Sequence, residues 1–221
     1  MRIHLLAATA LAVAIPASAQ QRQDDLLKSM GITIVEPMSA EQLARTRQAV
    51  AAEIARAGAS GLFEDASDVN GGKARHLPSG LSCPLGKKGQ RILYATATAA
   101  ACETSGNGSL FRASVERAPA DATLDWAEQY AQAAAVKEPG YKPWTGMLLT
   151  ARPKRGSDAI EHRTLQFSSK ASGRARNVRV QTGLVRGWLL TERSDSAANA
   201  QPNLMADMLS ATTFGLAMRT R

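Results

Sequence analysis

The sequence is poor in the residue types on which metal sites and base-stacking surfaces depend. Among 221 residues there are only 3 His and 2 Cys, with Trp 3, Tyr 3 and Phe 4. Metal sites draw several histidine, cysteine or carboxylate ligands at characteristic spacing, and no third ligand accompanies His76 and His162. We therefore expect no metal and no cofactor. The shortage of aromatic rings argues against a nucleic acid partner.

Motifs for nucleotide binding and for known hydrolases are also missing. Gly80 and Gly86 have five residues between them, where a phosphate-binding loop has four, and Lys88 occupies the position of its Ser or Thr. There is no Gly-x-Ser-x-Gly, His-Glu-x-x-His or Gly-x-Gly-x-x-Gly. Serine hydrolases, zinc peptidases and dinucleotide-binding enzymes thus lose their usual sequence support, and we name no catalytic residue.

No apolar run is long enough to span a bilayer, which takes about twenty residues. The longest, residues 5–15, follows Arg2 and ends in Ala17-Ser18-Ala19 before Gln20. A basic start, a short apolar core and an Ala-x-Ala end are typical of a cleaved signal peptide. We predict a signal peptide over residues 1–19, a periplasmic or secreted protein, and no transmembrane segment.

The predicted export of the chain bears on its two cysteines. Cys83 and Cys102 both remain after cleavage, and an even number of cysteines in an oxidising compartment favours a disulfide. Closing a loop of this size contributes roughly 3 kcal/mol on the chain-entropy model. We predict a Cys83–Cys102 bridge.

Hydrophobic periodicity divides the rest of the chain into alternating strands and helices. Residues 20–38 read as an N-terminal extension and residues 39–221 as a single globular domain. Asn70-Gly71-Gly72 predicts a tight turn with positive φ angles. The predicted elements are a helix over residues 39–58, a hairpin of residues 62–67 and 73–77, a strand over 90–101 returning as 110–117, a helix over 121–137, strands over 144–151, 160–168 and 178–191, the last folded at Gly183, and a helix over 199–218.

Antiparallel hairpins separated by single helices predict an α+β fold, a largely antiparallel sheet flanked by helices. Phe111, Trp126 and Trp188 lie on apolar faces of the predicted elements, so we expect them in or at the edge of the core. This order of elements from about Ser39 onward resembles the Mog1/PsbP-type α/β/α sandwich. That resemblance implies a non-enzymatic accessory or binding protein.

Glu161 and His162 form the best acid/base pair that the sequence offers. Adjacent strand residues point to opposite faces, so the two side chains should not meet, and we expect His162 on the surface. His76 has no neighbouring acid either. An envelope hydrolase or transferase that uses Glu161 and His162, or His76, stays as the alternative function.

Positive charge is concentrated in the last third of the chain. Residues 151–221 contain 12 basic and 5 acidic residues, whereas residues 20–70 contain 5 basic and 8 acidic ones. Two connections hold the candidate binding residues: Arg152, Lys154, Arg155, Lys170, Arg174 and Arg176. A cationic surface attracts anionic partners. We expect an exported binding or accessory protein whose partner is an anionic envelope component or an acidic protein surface.

Overall fold

An antiparallel sheet of seven strands organises the part of the chain that a computed structural model describes: residues 37–106, 108–145, 160–171 and 173–197, with Phe214 and Met218. The elements are α1 (Ala40–Arg56), β1 (Phe63–Asp65), β2 (Lys73–His76), β3 (Ser82–Pro84), β4 (Gln90–Ala95), β5 (Ala99–Gly106), β6 (Ser109–Arg117), α2 (Leu124–Ala135), β7 (Lys142–Pro143), β8 (His162–Ala171), β9 (Arg174–Val185) and β10 (Trp188–Ala197). The large sheet has the order β4-β5-β6-β10-β9-β8-β7, and β1-β2-β3 form a small second sheet. The predicted α+β class is confirmed.

Helix α1 begins where its capping residues predict. The Ser39 side chain accepts a hydrogen bond from the backbone N–H of Gln42, and the Gln42 side chain accepts one from the backbone N–H of Ser39. This reciprocal pair satisfies two amides that the first helical turn cannot. Val50 and Ile54 are the buried residues of the helix.

The β1–β2 hairpin is confirmed, but its connection differs from the predicted tight turn. The backbones of Asp68 and Gly71 form hydrogen bonds to each other. None of Asn70, Gly71 and Gly72 has a positive φ. Glycine at position 72 is required for another reason. A Cβ there would collide with the backbone carbonyl oxygen of Leu85.

The predicted single strand over residues 90–101 is wrong. The chain reverses between β4 and β5 without a glycine or proline. The Thr96 hydroxyl oxygen accepts hydrogen bonds from the backbone N–H of Thr98 at 3.2 Å and of Ala99 at 2.9 Å. Threonine side chains that bond to nearby backbone compete with an extended strand, and here they form the turn.

The strand predicted over residues 178–191 is two strands, and the reversal is not at Gly183. The β9–β10 turn is formed by Arg186 and Gly187, at φ 51 and 77. Positive φ at both central residues is the geometry of a type I′ hairpin, which matches the twist of the strands. Gly183 lies inside β9, where an added Cβ would be 2.9 Å from the Phe214 ring.

Helix α2 is shorter than predicted and does not begin at Asp121. Thr123 is the N-cap, and its hydroxyl accepts a hydrogen bond from the backbone N–H of Trp126. The buried stripe is made only of alanines: Ala127, Ala131 and Ala135. These small side chains let the helix pack closely on β8 and β9.

The large sheet has a hydrophobic cluster on each face. On the face here called face A, α1 and the small sheet pack around Ile92, Val115 and Leu190. On face B, α2 packs over Phe167 and Val178. The predicted disulfide is confirmed, and it joins Cys83 of β3 to Cys102 of β5 across the face A cluster.

The three aromatic residues expected in the core have different outcomes. Trp188 is 4% exposed, as predicted, and Trp126 is half-buried, stacked on Tyr130 with ring centroids 5.4 Å apart. Phe111 is 40% exposed, so its prediction is wrong. It shares a face with buried Ala113 but lies two residues nearer the end of β6, beyond the cluster under α1.

Several predicted elements lie outside the described residues. These are the signal peptide, nearly all of the 20–38 extension, most of the strand over 144–151 and the helix over 199–218. From that last segment only Phe214 and Met218 are described, and both are buried in the face A cluster. Among the described helices none is long and apolar enough to cross a membrane.

Candidate functional site

His76 is a core residue. It is fully buried, its Nε2 lies 2.8 Å from the carbonyl oxygen of Thr96, and its Nδ1 lies 2.8 Å from the hydroxyl oxygen of Ser79. Because a carbonyl only accepts, Nε2 carries the proton and Nδ1 accepts from Ser79. Burial lowers the pKa of His76. Both nitrogens are occupied in holding the small sheet against the β4–β5 turn, so neither is available to a substrate.

His162, the first residue of β8, is half-buried, so it is less exposed than the surface position predicted from the sequence. Its Nδ1 donates to the carbonyl oxygen of Ile160 at 3.0 Å, and its Nε2 accepts from the Gln181 amide at 3.1 Å. The Phe214 ring lies 4.5 Å away, and burial lowers the pKa of His162. Glu161 is exposed and lies 3.8 Å from Arg163. The acid and the imidazole therefore have separate partners.

A surface depression of about 600 Å³ lies between α2 and β8. Two of its acidic residues, Asp125 and Glu128, bind the Arg163 guanidinium at 2.9 and 3.1 Å. Its other lining residues are Gln129, Gln132, Ala133, Val136 and Leu165. This set includes no Ser, Thr, Cys or His, and both of its carboxylates are paired with Arg163. In the described ranges no group of three His, Cys, Asp or Glu could hold a metal ion.

Three of the predicted binding residues lie in the β8–β9 hairpin. Lys170 and Arg174 are exposed, and Arg176 is partly buried. The Arg176 Nη1 donates to the carbonyl oxygen of Gly108 at 2.8 Å, which ties this hairpin to the turn between β5 and β6. The hairpin thus holds its cations on two strands that are paired in register.

Further lysines, which sequence reasoning missed, lie at the same end of the sheet. Lys142 pairs with Ser168 in register, so it is a diagonal neighbour of Lys170 on face A. Lys87 and Lys88 come just before β4, whose first residue pairs at this end with Thr104. Together these residues are called the basic end: Lys87, Lys88, Lys142, Lys170, Arg174 and Arg176. Seven strands at about 4.8 Å spacing make this end roughly 30 Å wide.

Within the described ranges, none of the six basic-end residues forms an ion pair. Cations elsewhere do: Arg56 binds Glu53, Arg112 binds Glu103, and Arg163 binds three acids. No described carboxylate is therefore in ion-pair contact with the basic end. Only the order and register of the strands place residues 87, 142 and 174 at the same end of the sheet, so spacing along the chain gave no signal for it.

Arg152, Lys154 and Arg155 lie outside the described residues. Their connection runs from Thr145 to Ile160 and enters β8 at His162, whereas Lys170 is near the other end of that strand. Ten residues of strand separate these ends by roughly 30 Å. The topology therefore does not support a single patch made of all six predicted residues. A role of Arg152, Lys154 and Arg155 in binding stays a prediction.

Comparison with solved structures yields weak likenesses, among them the following two. No protein-family model and no curated protein matches the chain. It is similar to LpqN, involved in cell envelope biogenesis of Mycobacterium tuberculosis, at 14% identity over 57% of this chain and 76% of that one, with a TM-score of 0.33. It is also similar to PA94 of Pseudomonas aeruginosa, a protein of unknown function, at 15% identity over 58% and 86%, with a TM-score of 0.37. Likenesses at this level carry no argument about this chain.

Proposed function

We propose that this chain is an exported, non-enzymatic binding or accessory protein, and that its basic end binds an anionic envelope component. The observation that carries the proposal is the basic end itself, six cations at one end of the large sheet that have no ion-pair partner among the described residues. Unpaired cations in a row attract polyanions through long-range Coulomb forces that salt screens. A row roughly 30 Å wide fits an extended polymer or a membrane surface better than a small anion.

Both histidines support a binding protein over the enzyme alternative. His76 and His162 each have their two ring nitrogens in hydrogen bonds to the protein. A general base needs a nitrogen within reach of the proton it removes. The Glu161 carboxylate lies near Arg163, and His162 has other hydrogen-bond partners. The two side chains therefore do not form the acid/base pair that the enzyme alternative requires.

The test is binding of the processed chain to two anionic probes, vesicles that contain phosphatidylglycerol and an acidic polysaccharide such as alginate. We expect binding to at least one probe, with affinity that falls as salt rises. The double variant Lys170→Glu with Arg174→Glu should weaken it about tenfold or more. An affinity that changes neither with salt concentration nor in this variant would refute the proposal.

A control variant separates the basic end from net charge. Arg117→Glu with Arg186→Glu changes the net charge by the same amount, at the opposite end of the sheet. Arg117 is exposed and lies over the Trp188 ring, and Arg186 is exposed in the β9–β10 turn. We expect this variant to bind almost as the parent does. An equal loss in both variants would mean that only net charge matters.

Export has its own test. If residues 1–19 are a signal peptide, the mature chain begins at Gln20. Intact-mass measurement of protein recovered from the periplasm of an expressing bacterium should show this start. Full-length protein confined to the cytosol would contradict the localisation.

A further inference from the structure

Among the described residues, α2 covers only part of face B of the large sheet. The helix packs on β8 and β9, whereas β4, β5 and β6 lie beside it. In the register, Ala101 of β5 pairs with Ser114 of β6, which pairs with Thr191 of β10. Ala101 is fully buried, and Ser114 and Thr191 are partly exposed, so the surface next to the helix is lined by small side chains.

Two tyrosines from distant parts of the chain lie beside these small side chains. The Tyr130 hydroxyl, on α2, donates to Glu116 of β6 at 2.8 Å. Tyr94, on β4, pairs with Ala101, and Ala99 on the same face of β5 pairs with Glu116, so the register places Tyr94 near that carboxylate. Burial and the charge of Glu116 raise the pKa of Tyr94. Tyr94 is 42% exposed and Tyr130 44%, and Trp126 supports Tyr130 by stacking on it.

Fixed guanidinium groups lie on the same face. Glu103 is 2% exposed and accepts hydrogen bonds from Arg91 at 2.6 Å and from Arg112 at 2.8 Å. The two guanidinium-bearing side chains remain 57% and 42% exposed. Since a guanidinium has five N–H groups, each arginine retains donors that can face a ligand.

We propose that this surface, called the tyrosine face (Tyr94, Tyr130, Glu116 and Arg112), binds a neutral oligosaccharide. The axial C–H groups of a sugar ring pack on the electron-rich faces of aromatic rings. Its hydroxyls can donate to the Glu116 carboxylate and accept from Arg112, and both would be charge-assisted hydrogen bonds.

Charge favours a neutral ligand at this face. The two positive charges of Arg91 and Arg112 are matched by the two carboxylates of Glu103 and Glu116, whereas the six cations of the basic end have no ion-pair partner among the described residues. The Glu116 carboxylate would repel a polyanion, and the two guanidinium groups would repel a cation. The runner-up is a lysine-bearing peptide held between the tyrosine rings and Glu116 by cation–π attraction.

The probes are chitohexaose and cellohexaose, titrated into the processed chain at high salt and followed by calorimetry and tryptophan fluorescence. We expect one of them to bind, and Tyr94→Ala and Tyr130→Ala each to weaken binding about tenfold. Tyr94→Phe should bind nearly as the parent does, because stacking needs the ring. Failure of both sugars to bind would overturn the proposal.

Matched controls distinguish the tyrosine face from the rest of the sheet. Phe111→Ala removes an equally exposed ring from the opposite face of the same sheet and should change affinity by less than about twofold. The Lys170→Glu/Arg174→Glu variant should leave sugar binding unchanged. The oligosaccharide proposal is therefore tested independently of the proposal for the basic end. If a lysine-rich peptide binds instead and Glu116→Gln abolishes that binding, the ligand is cationic and the oligosaccharide proposal is wrong.

Discussion

The Glu53 carboxylate of α1 accepts a hydrogen bond from the backbone N–H of Ile92 at 2.8 Å. Ile92 is in β4, the edge strand of the large sheet, and its carbonyl oxygen accepts from the Arg56 guanidinium at 3.3 Å. The two side chains also bind each other. They thus occupy the donor and the acceptor that a neighbouring strand would use. Unpaired edge groups of this kind invite association with another chain, and covering them prevents it.

We therefore expect Glu53→Ala to weaken folding and to expose the β4 edge. A hydrogen bond to a charged group contributes about 1.5–3 kcal/mol, and chemical denaturation should show a loss in that range. Light scattering should show association that grows with protein concentration. Glu41→Ala is the control, because Glu41 forms only an exposed pair with Arg45. Equal behaviour of the two variants would contradict the role assigned to Glu53.

Removing the disulfide should destabilise the chain by roughly 3 kcal/mol. Cys83 and Cys102 join the small sheet to the large one, so the loss should be greatest in β1–β3. The measurement is denaturation of the Cys83→Ser/Cys102→Ser variant together with hydrogen exchange of β2 and β3. Intact mass after alkylation without reductant checks that the bridge forms, and two alkylated thiols in periplasmic protein would show that it does not.

Alanine scanning should rank three aromatic residues by burial. Trp188→Ala should cost on the order of 3–5 kcal/mol, because the ring is almost fully buried. Phe111→Ala should cost below about 1 kcal/mol, and Trp126→Ala should fall between them. Urea denaturation of the three variants gives the order. A large loss at Phe111 would place that ring inside the core.

Stability should fall as the pH drops below about 6.5, the ordinary pKa of histidine. The pKa of His76 is lowered in the fold, so between its folded pKa and 6.5 the unfolded chain binds the proton more readily. The free energy of unfolding then decreases by up to about 1.4 kcal/mol per pH unit for this one group. Urea denaturation at pH 8, 7, 6 and 5 measures the slope.

His76→Gln provides the comparison for that slope. It should be less stable than the parent at pH 8, because it loses ring contacts with Phe63 and Trp188, but its stability should vary less with pH. His162→Gln should remove the part of the pH dependence of stability that comes from the lowered pKa of His162. A parent chain whose stability is constant from pH 8 to pH 5 would contradict the buried neutral state of both.

Features that depend on neighbouring residues were predictable from sequence. The capping box of Ser39 and Gln42, the stacking of Trp126 on Tyr130, and most strand segments follow from spacing along the chain. The disulfide followed from the number of cysteines and the inferred compartment. The antiparallel α+β class followed from the alternation of these local patterns.

Other features depended on register and on which elements cover each face, which periodicity does not encode. Phe111 has the same alternation as Ala113 but lies beyond the face A cluster, and His162 is half-buried beside Phe214, far away in sequence. The basic end and the tyrosine face likewise combine residues from separate strands and α2. Such surfaces are decided by tertiary structure, because the sheet order determines which distant side chains become neighbours.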